Sequence, residues 1–315
     1  MRHFWGILFG VVLLAAFLLT AVAPFVGWWL PRSVSTYSGQ IDTLYYWILG
    51  VTTFFFVLTE ILLVYIMIRW AAEPGRKAQF VHGNHRLEML WTVVPGVILF
   101  LLAVLQINTW ADIKYPTHMQ DQFDKDPEQF LQMEITTRQW EFRVRYPSPE
   151  RMAGWKDKKA ATDDYKRRLP ERPGDIHAVN DIHTWKGHKV LAYLNTRDVG
   201  HALFIPAIRV KQDALPGRTI PVWFEATEAN TIYDPQTRTW RDGYRQEGDK
   251  WVEDPGGYVW DMVCTQYCGS RHSLMRGKLH VHPSKEDFLA WLKAAGQEDH
   301  RRLPAETPAQ PATAE

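Results

Sequence analysis

Three long apolar stretches in the first third of the chain limit its fold more than any other feature. They run over residues 4–23, 45–68 and 92–110, and each approaches the roughly 20 residues that a helix needs to cross a bilayer. Several of the fifteen tryptophans lie beside apolar runs, where an amphipathic ring suits the membrane interface. The sequence therefore predicts a multi-pass anchor in contact with membrane lipid.

The first stretch has two interpretations. Arg2 precedes it and Ala21-Val22-Ala23 resembles a cleavage site, as in a signal peptide. However, its apolar core is longer than the roughly 7 to 15 residues of a signal peptide, and Pro24 would follow the cut. We favour an uncleaved span within an N-terminal membrane segment, residues 1–30.

The basic residues set the orientation of the spans. The connection between the second and third spans contains four of them, whereas the connection between the first and second carries only Arg32; the four are Arg69, Arg76, Lys77 and Arg86. The positive-inside rule places the richer loop in the cytoplasm. Everything after residue 110 is then on the exported, periplasmic side of the inner (plasma) membrane.

Short alternating runs replace the long apolar ones after residue 110. Met133, Ile135 and later aromatic positions alternate with polar residues, and similar runs follow at 189–194, 220–226, 258–263 and 278–281. Period-two patterning with Pro and Gly punctuation predicts strands in a β-sandwich or barrel. Two polar stretches, 148–181 and 230–254, are interpreted as surface loops or insertions. His280 and His282 alternate on a strand, and we expect an exposed strand face there.

The end of the chain predicts a short helix and a tail. Ser284 and Asp287 resemble a capping box, and Gly296 would end the helix. Residues 297–315 are rich in Pro, Ala and Glu, too poor in apolar side chains to fold, and are expected to be disordered.

Four soft or borderline metal donors fall in one loop: Cys264, Cys268, His272 and Met275. Thiolate and thioether are soft ligands and imidazole suits copper, so this set favours copper over a hard cation. His201, between probable strands upstream, is the best supplier of a further ligand. The near-neutral net charge of +1 gives no support for nucleic-acid binding.

Two other interpretations of these residues remain open at this point. Two cysteines and two histidines could also hold zinc in a closed tetrahedron, although structural zinc sites rarely use a thioether such as Met275. The only two cysteines of the chain could instead form a disulfide, but closing so short a loop stabilises little.

The loop resembles subunit II of the haem-copper cytochrome c oxidases. The motif of that family is C-x-E-x-C-x-x-x-H-x-x-M, preceded by D-V-x-H, and the chain matches it at Cys264, Cys268, His272, Met275 and His201. Residues 206–217 and 88–92 look like further family segments. The resemblance implies a helical hairpin at 40–112 and an all-β cupredoxin domain at 113–283, followed by the helix at 284–296.

The resemblance also implies a metal centre and partners. In this family the two cysteines bridge two copper ions in a binuclear CuA centre, His201 and His272 each complete one ion, and Met275 and the carbonyl of Gln266 are weak axial ligands. The implied partners are oxidase subunits I and III, with cytochrome c as the electron donor. A quinol-oxidase subunit would lack these ligands, and a copper or zinc carrier would be expected to expose them.

Gln266 is a departure, because the family has Glu between the cysteines, and that carboxylate links the centre to magnesium. An amide is a weaker ligand for a hard cation, so bound magnesium is doubtful here.

Four further residues receive roles from the resemblance. Trp140 matches the tryptophan that takes the electron from cytochrome c, and Gln139 and Asp198 match positions near the docking surface, although Asp198 could equally brace the loop of His201. Trp140 and Phe142 could also be alternating core residues of a strand, the reading we favour for Phe142. Glu88 stands at the mouth of a proton channel into subunit I, or is simply a solvated helix-start residue. Glu60 is expected to face subunit I.

Overall fold

A computed structural model describes residues 3–77, 80, 82–114, 123, 125, 130–155, 157–166, 168–234, 236–237 and 239–302. The chain divides into two compact units. The helical unit contains residues 1–31 and 39–111, and the β-unit contains residues 32–38 and 112–315. Each unit is described separately below.

The helical unit consists of three helices that are long and apolar enough to cross a membrane. They are α1 (Phe4–Val22), α2 (Ser38–Arg69) and α3 (His85–Lys114), and a 3-10 turn at Ala23–Val26 extends α1. Their apolar side chains are largely exposed, as expected for surfaces that lipid covers. The predicted membrane anchor is confirmed.

Two glycines one turn apart bring α1 close to α2. A Cβ on Gly6 would lie 2.8 Å from Cγ1 of Ile68, and a Cβ on Gly10 would lie 3.3 Å from Cγ1 of Val64. Small residues at a four-residue spacing let two membrane helices approach closely. The first apolar stretch therefore packs as a member of the helical unit.

Glu60 lies on the side of α2 that faces α1. It lines a cavity of about 370 Å³ together with Leu13 and Phe17 of α1, and within the described residues its Oε2 is buried without a hydrogen-bond partner. The expectation that Glu60 faces subunit I stays a prediction. The apolar stretch around Glu60 does not indicate which other helix its carboxyl would contact.

The β-unit contains two five-stranded sheets. The first has the order β3-β2-β1-β5-β8 and the second β4-β14-β13-β6-β7. The strands are β1 (Phe130–Arg138), β2 (Glu141–Tyr146), β3 (Ile176–Val179), β4 (Asp181–Trp185), β5 (Lys189–Thr196), β6 (His201–Ile205), β7 (Val210–Ala214), β8 (Ile220–Glu225), β13 (Trp260–Cys264) and β14 (Arg276–His282). The β1–β5 and β4–β14 pairs are parallel and the others antiparallel.

The two sheets pack against each other around apolar side chains from both. Ile135 and Phe142 from the first sheet, and Leu203, Met262 and Leu279 from the second, are fully buried. Ile135 on β1 and Phe142 on β2 share one face of the first sheet, because alternate residues along a strand point to the same face. The predicted fold class, a helical membrane anchor followed by an all-β domain of cupredoxin type, is confirmed.

Residues 32–38, between the first two apolar stretches, belong to the β-unit. Val34 is fully buried, and its amide donates to the carbonyl of Ala207 at 2.8 Å. Ser35 forms a β-bridge with Ala226, and Arg32 pairs with Glu228 at 2.7 Å. The sequence showed no strand pattern here, so this contribution was not predicted.

The polar stretch 148–181 is more structured than the predicted surface loop. It contains α4 (Pro149–Gly154), α5 (Lys158–Lys166) and β3, with buried Trp155 and Leu169. Arg151 binds Asp164 at 2.8 Å and Asp175 at 3.1 Å. These charges were read as solvent-facing, yet they are paired with one another inside the insertion.

The second polar stretch, 230–254, forms two small hairpins. The hairpin strands are β9 (Ile232–Asp234) with β10 (Thr239–Arg241), and β11 (Tyr244–Glu247) with β12 (Lys250–Glu253); a one-turn helix, α6 (Pro255–Tyr258), follows.

The last helix, α7 (Lys285–Arg302), continues past Gly296, so the predicted end and the predicted disorder of 297–302 are wrong. A Cβ at Gly296 would lie 3.1 Å from Cδ1 of Ile176, which shows that the glycine permits close packing on β3. The remainder of the predicted tail, 303–315, lies outside the described residues.

Candidate metal centre

Both thiols lie in the connection between β13 and β14. Cys264 is the last residue of β13, and Cys268 follows in the loop that leads to β14. Their Sγ atoms are 3.9 Å apart, and both side chains are buried as free thiols. A disulfide needs about 2.05 Å between its sulfurs, so this arrangement fits a site in which both sulfurs act as ligands.

His201 reaches the thiols from the neighbouring strand. It is the first residue of β6, which pairs with β13 through Leu203 and Cys264. Its Nδ1 is 3.8 Å from Sγ of Cys264, and the side chain is fully buried. The register of two antiparallel strands thus brings together residues 63 positions apart, as the sequence predicted.

The remaining predicted ligands come from the loop itself. A 3-10 turn at His272–Leu274 places Nδ1 of His272 3.4 Å from Sγ of Cys268. Sδ of Met275 is 3.9 Å from the same sulfur, and the carbonyl oxygen of Gln266 is 3.2 Å from Sγ of Cys264. The four other predicted ligands therefore each lie within 4 Å of one of the two sulfurs.

The donor spacing fits bound metal. First-row metals bind thiolate at about 2.3 Å and imidazole at about 2.0 Å, so donor atoms that share an ion stand roughly 3 to 4 Å apart. The separations between Cys264, Cys268 and the two histidines fall in this range. His201, Cys264 and Cys268 also form the group of potential ligands whose donor atoms all lie within 4.8 Å of one another.

The two thiols differ in their electrostatic surroundings. Burial raises the pKa of Cys264, but hydrogen bonds from His201 and the loop backbone outweigh it, so the net shift is downward. Burial and the negative charge on Cys264 raise the pKa of Cys268. Protons thus leave the pair in sequence, and a bound cation would favour the thiolate form of both.

Asp198 braces the imidazole of His201. Its Oδ1 lies 2.9 Å from Nε2 of His201, and its Oδ2 accepts from the backbone amide of Gln139 at 2.7 Å. A carboxylate on one ring nitrogen fixes the tautomer that leaves the other nitrogen free to bind metal. Of the two predicted roles of Asp198, the contacts favour bracing.

Trp140 touches the thiol loop directly. Its Nε1 donates to the carbonyl of Cys268 at 3.1 Å, and Nε2 of Gln139 donates to the same oxygen at 2.8 Å. Gly269 allows this approach, since it has a φ of +112° and its Cβ would lie 3.3 Å from Cζ2 of Trp140. Phe142, in contrast, is fully buried in the core, as the strand pattern suggested.

Two predicted residues, Glu88 and Gln266, have exposed side chains. Glu88 lies in the first turn of α3 and is exposed, which is compatible with both readings of its role. The side chain of Gln266 is exposed, although its carbonyl faces Cys264.

A second group of histidines was misread from the sequence. His183, His280 and His282 are 5%, 9% and 0% exposed, so the expected exposed strand face is wrong. His183 stacks on Trp291 of α7 with ring centroids 3.6 Å apart, and its Nδ1 is 3.0 Å from Nε2 of His282. The helix α7 covers this face of β14, and alternation within β14 gave no sign of that cover.

The fold and the site define a membrane-anchored metalloprotein with an all-β, cupredoxin-type domain. Residues 9–108 match the family model described as "Cytochrome C oxidase subunit II, transmembrane domain". The chain is 25% identical over 281 residues to the alternative cytochrome c oxidase subunit 2 of Bradyrhizobium diazoefficiens, covering 84% of this chain and 83% of that protein. It is 26% identical to cytochrome c oxidase subunit 2 of Cereibacter sphaeroides, covering 84% and 78%.

Solved structures with partial likeness include two oxidase proteins. The periplasmic domain of subunit II of cytochrome oxidase (CoxB) of Bradyrhizobium japonicum aligns with a TM-score of 0.35 and 19% identity over 54% of this chain and 95% of that one. A haem-copper terminal oxidase dimer aligns with a TM-score of 0.32 and 14% identity over 61% and 97%. By these sequence matches the chain is similar to cytochrome c oxidase subunit II proteins, in agreement with the resemblance of its motifs.

Proposed function

We propose that the chain is the electron-accepting subunit of a cytochrome c oxidase, which takes electrons from cytochrome c at a binuclear copper centre and passes them to haem in subunit I. In that complex, oxygen reduction on subunit I is coupled to proton translocation. One observation carries the proposal. Two thiol sulfurs lie 3.9 Å apart, and two imidazoles and a thioether each lie within 3.9 Å of one of them.

The donor chemistry supports copper more than zinc. Cys264 and Cys268 would bridge the two ions, His201 and His272 would each complete one, and Met275 and the carbonyl of Gln266 would be the weak ligands. A buried thioether beside the thiols suits a soft metal. When bound, such a copper pair supplies a one-electron carrier.

The burial of the ligands supports electron transfer over metal delivery. Cys264, Cys268, His201 and Met275 are each buried, and His201 comes from β6, far in sequence from the loop that carries the other three. A carrier that exchanges its ion needs ligands that a partner can reach. The protein frame instead holds the donors in place through the β6–β13 pairing and the Asp198 brace.

Trp140 is the proposed site of electron uptake. Its indole is hydrogen-bonded to the carbonyl of a copper ligand, Cys268, and it is partly exposed. Trp140 therefore offers a short path for an electron from the protein surface to the metal centre. Replacing Trp140 with Ala should slow reduction by cytochrome c while both coppers stay bound.

The anchor is proposed to place the β-unit on the periplasmic side of the inner membrane. The basic connection between α2 and α3 faces the cytoplasm under the positive-inside rule. Packing of Gly6 and Gly10 against α2 supports retention of α1. The mass of the mature chain would test this, since cleavage after Ala23 would remove α1.

One experiment tests the central proposal. In the purified oxidase complex, we expect two copper ions per chain and a paramagnetic spectrum in which one electron is shared equally by two copper nuclei. Trp140→Ala is compared with Trp251→Ala, a control on the β11–β12 hairpin, and only the first should lose turnover with cytochrome c. One metal ion per chain, bound zinc, or a Cys264–Cys268 disulfide in the working enzyme would overturn the proposal.

A further inference from the structure

The surface around the thiol loop carries an excess of positive charge. We define the copper rim as residues 138–143, 197–201 and 265–276, the three segments that meet at Cys268 and His201. It contains five arginines and two carboxylates, namely Arg138, Arg143, Arg197, Arg271 and Arg276 with Glu141 and Asp198. The net charge of the whole chain is only +1, so the rim is more positive than the chain as a whole.

Both carboxylates of the rim are already held by neighbours. Oε1 of Glu141 accepts from Nε of Arg138 and Nε of Arg143. Asp198 is bound to His201 and to the amides of Gln139 and Val199. Neither carboxylate is therefore well placed to attract a basic partner.

Arg271 places a positive charge beside Trp140, the proposed electron-uptake residue. Its guanidinium lies 5.9 Å from the centre of the Trp140 ring, and the side chain is exposed. Arg276 is also exposed, at the start of β14. A partner that approaches Trp140 closely enough to transfer an electron would meet the Arg271 cation.

Exposed apolar side chains lie among the charges. Tyr267 and Leu274 are 76% and 72% exposed, and Val199 is 39% exposed. Large apolar side chains surrounded by arginines match the anatomy of a transient protein interface, in which aromatic and apolar residues make the contact and charges at the edge steer the encounter.

We infer that the electron donor of this protein presents an acidic surface around its redox group. This inference rests on the proposed function and names the partner chemistry of that same site. A basic cytochrome would be repelled at this surface, because the rim itself carries an excess of positive charge. The proposed occupant is a soluble electron-carrier protein with carboxylates around an exposed cofactor edge.

The test uses the intact oxidase complex and two probes, a strongly acidic and a strongly basic cytochrome c. We expect kcat/KM to be higher with the acidic probe and to fall as salt is added, since screening weakens attraction between opposite charges. Calorimetric binding of the oxidised acidic probe should weaken with salt in the same way. This second measurement is independent of turnover.

Charge reversal at one position sharpens the test. Arg271→Glu should lower kcat/KM for the acidic probe about 10-fold at low salt, and raise it for the basic probe. Arg271→Lys should retain most of the wild-type value. The matched control is Lys250→Glu on the β11–β12 hairpin, which makes the same charge change away from the rim and should alter neither probe.

The outcomes separate this inference from the proposed function. Copper content and reduction of the centre by ascorbate with a small redox dye report on the centre alone. If these are normal and the wild-type complex prefers the basic probe, or if Arg271→Glu leaves the acidic probe unaffected, the inference is wrong and the proposed function stands. If the complex lacks the copper pair, the proposed function itself fails.

Discussion

Two groups of potential metal ligands lie in the same β-unit, and only one is arranged to hold an ion. Around Cys264 and Cys268 the donor atoms stand 3.4 to 3.9 Å apart, a spacing that an ion can bridge. In the group of His183, His280 and His282, two ring nitrogens are 3.0 Å apart, the distance of a direct hydrogen bond, and within the described residues these rings do not bring three donor atoms within 4.8 Å of one another. The comparison teaches that the number of converging donor atoms distinguishes a site from a packed core better than residue type does.

The largest expected contrast is in metal content. Cys268→Ser should abolish the copper pair, because a hydroxyl is a poor bridging ligand for soft metals. His282→Gln should leave both coppers in place. Copper analysis and paramagnetic spectra of the two purified variants measure this. Equal copper loss in both variants would mean that the histidine group also contributes to metal binding.

A second contrast compares the two carboxylates that contact a histidine. Asp198 lies 2.9 Å from His201 and Asp181 lies 3.4 Å from His280. Asp198→Asn should weaken copper binding about 10- to 100-fold, the usual effect of removing a residue that orients a metal ligand. Asp181→Asn serves as the control and should leave copper affinity unchanged. Competition with a copper chelator gives both affinities.

A third contrast concerns acid stability. Burial, with a smaller effect of His280, lowers the pKa of His282 to about 3, whereas an unfolded histidine titrates near 6.5. Below that pH the unfolded state binds a proton that the folded state excludes, so stability falls as pH decreases. At pH 5 the loss attributable to His282 is about 2 kcal/mol.

His282→Gln should remove that part of the pH dependence. The measurement is the free energy of unfolding of the full-length chain in detergent at pH 7.5 and pH 5. His183, whose pKa burial also lowers, should contribute in the same direction, so the variant keeps some acid sensitivity. A pH dependence identical to that of the wild type would show that His282 is protonated in the folded state.

The smallest effect on copper is expected within the loop itself. Gln266→Glu restores the carboxylate that the family carries between the cysteines, and it should increase magnesium binding in the assembled complex because hard cations prefer carboxylates. Copper content should not change, since the backbone carbonyl faces Cys264. Metal analysis of both forms decides this; tightly bound magnesium in the wild type through Gln266 would contradict the prediction.

The sequence predicted the clustering of the candidate ligands and the spans because their signals are local. Cys264, Cys268, His272 and Met275 lie within one loop, and long apolar runs need no neighbour to be recognised. His201 was singled out by its place between probable strands and then by the resemblance to a known motif, and its approach to Cys264 depends on strand register. These parts of the site and the fold agree with the structure.

The wrong predictions have a common physical cause: segments far away in sequence pack over the residues concerned and bury them. His280 is buried because α7 packs over β14, and Gly296 does not end α7 because it contacts Ile176. The arginines and aspartates of 148–181 looked solvent-facing until pairing within the insertion buried them. Period and composition describe one segment and hold no information on which other segment will lie on it.

The small segment before α2 also bears on how the exported domain is made. The hydroxyl of Ser35 donates to the carbonyl of Ile208, which follows it by 173 residues. Ser35 is therefore synthesised long before its partner. The first translocated loop must stay unpaired while the hairpin inserts and the remaining strands arrive. A secreted fragment that starts after α3 would lack Val34, Ser35 and the Arg32–Glu228 ion pair, and would expose the apolar surface that they close.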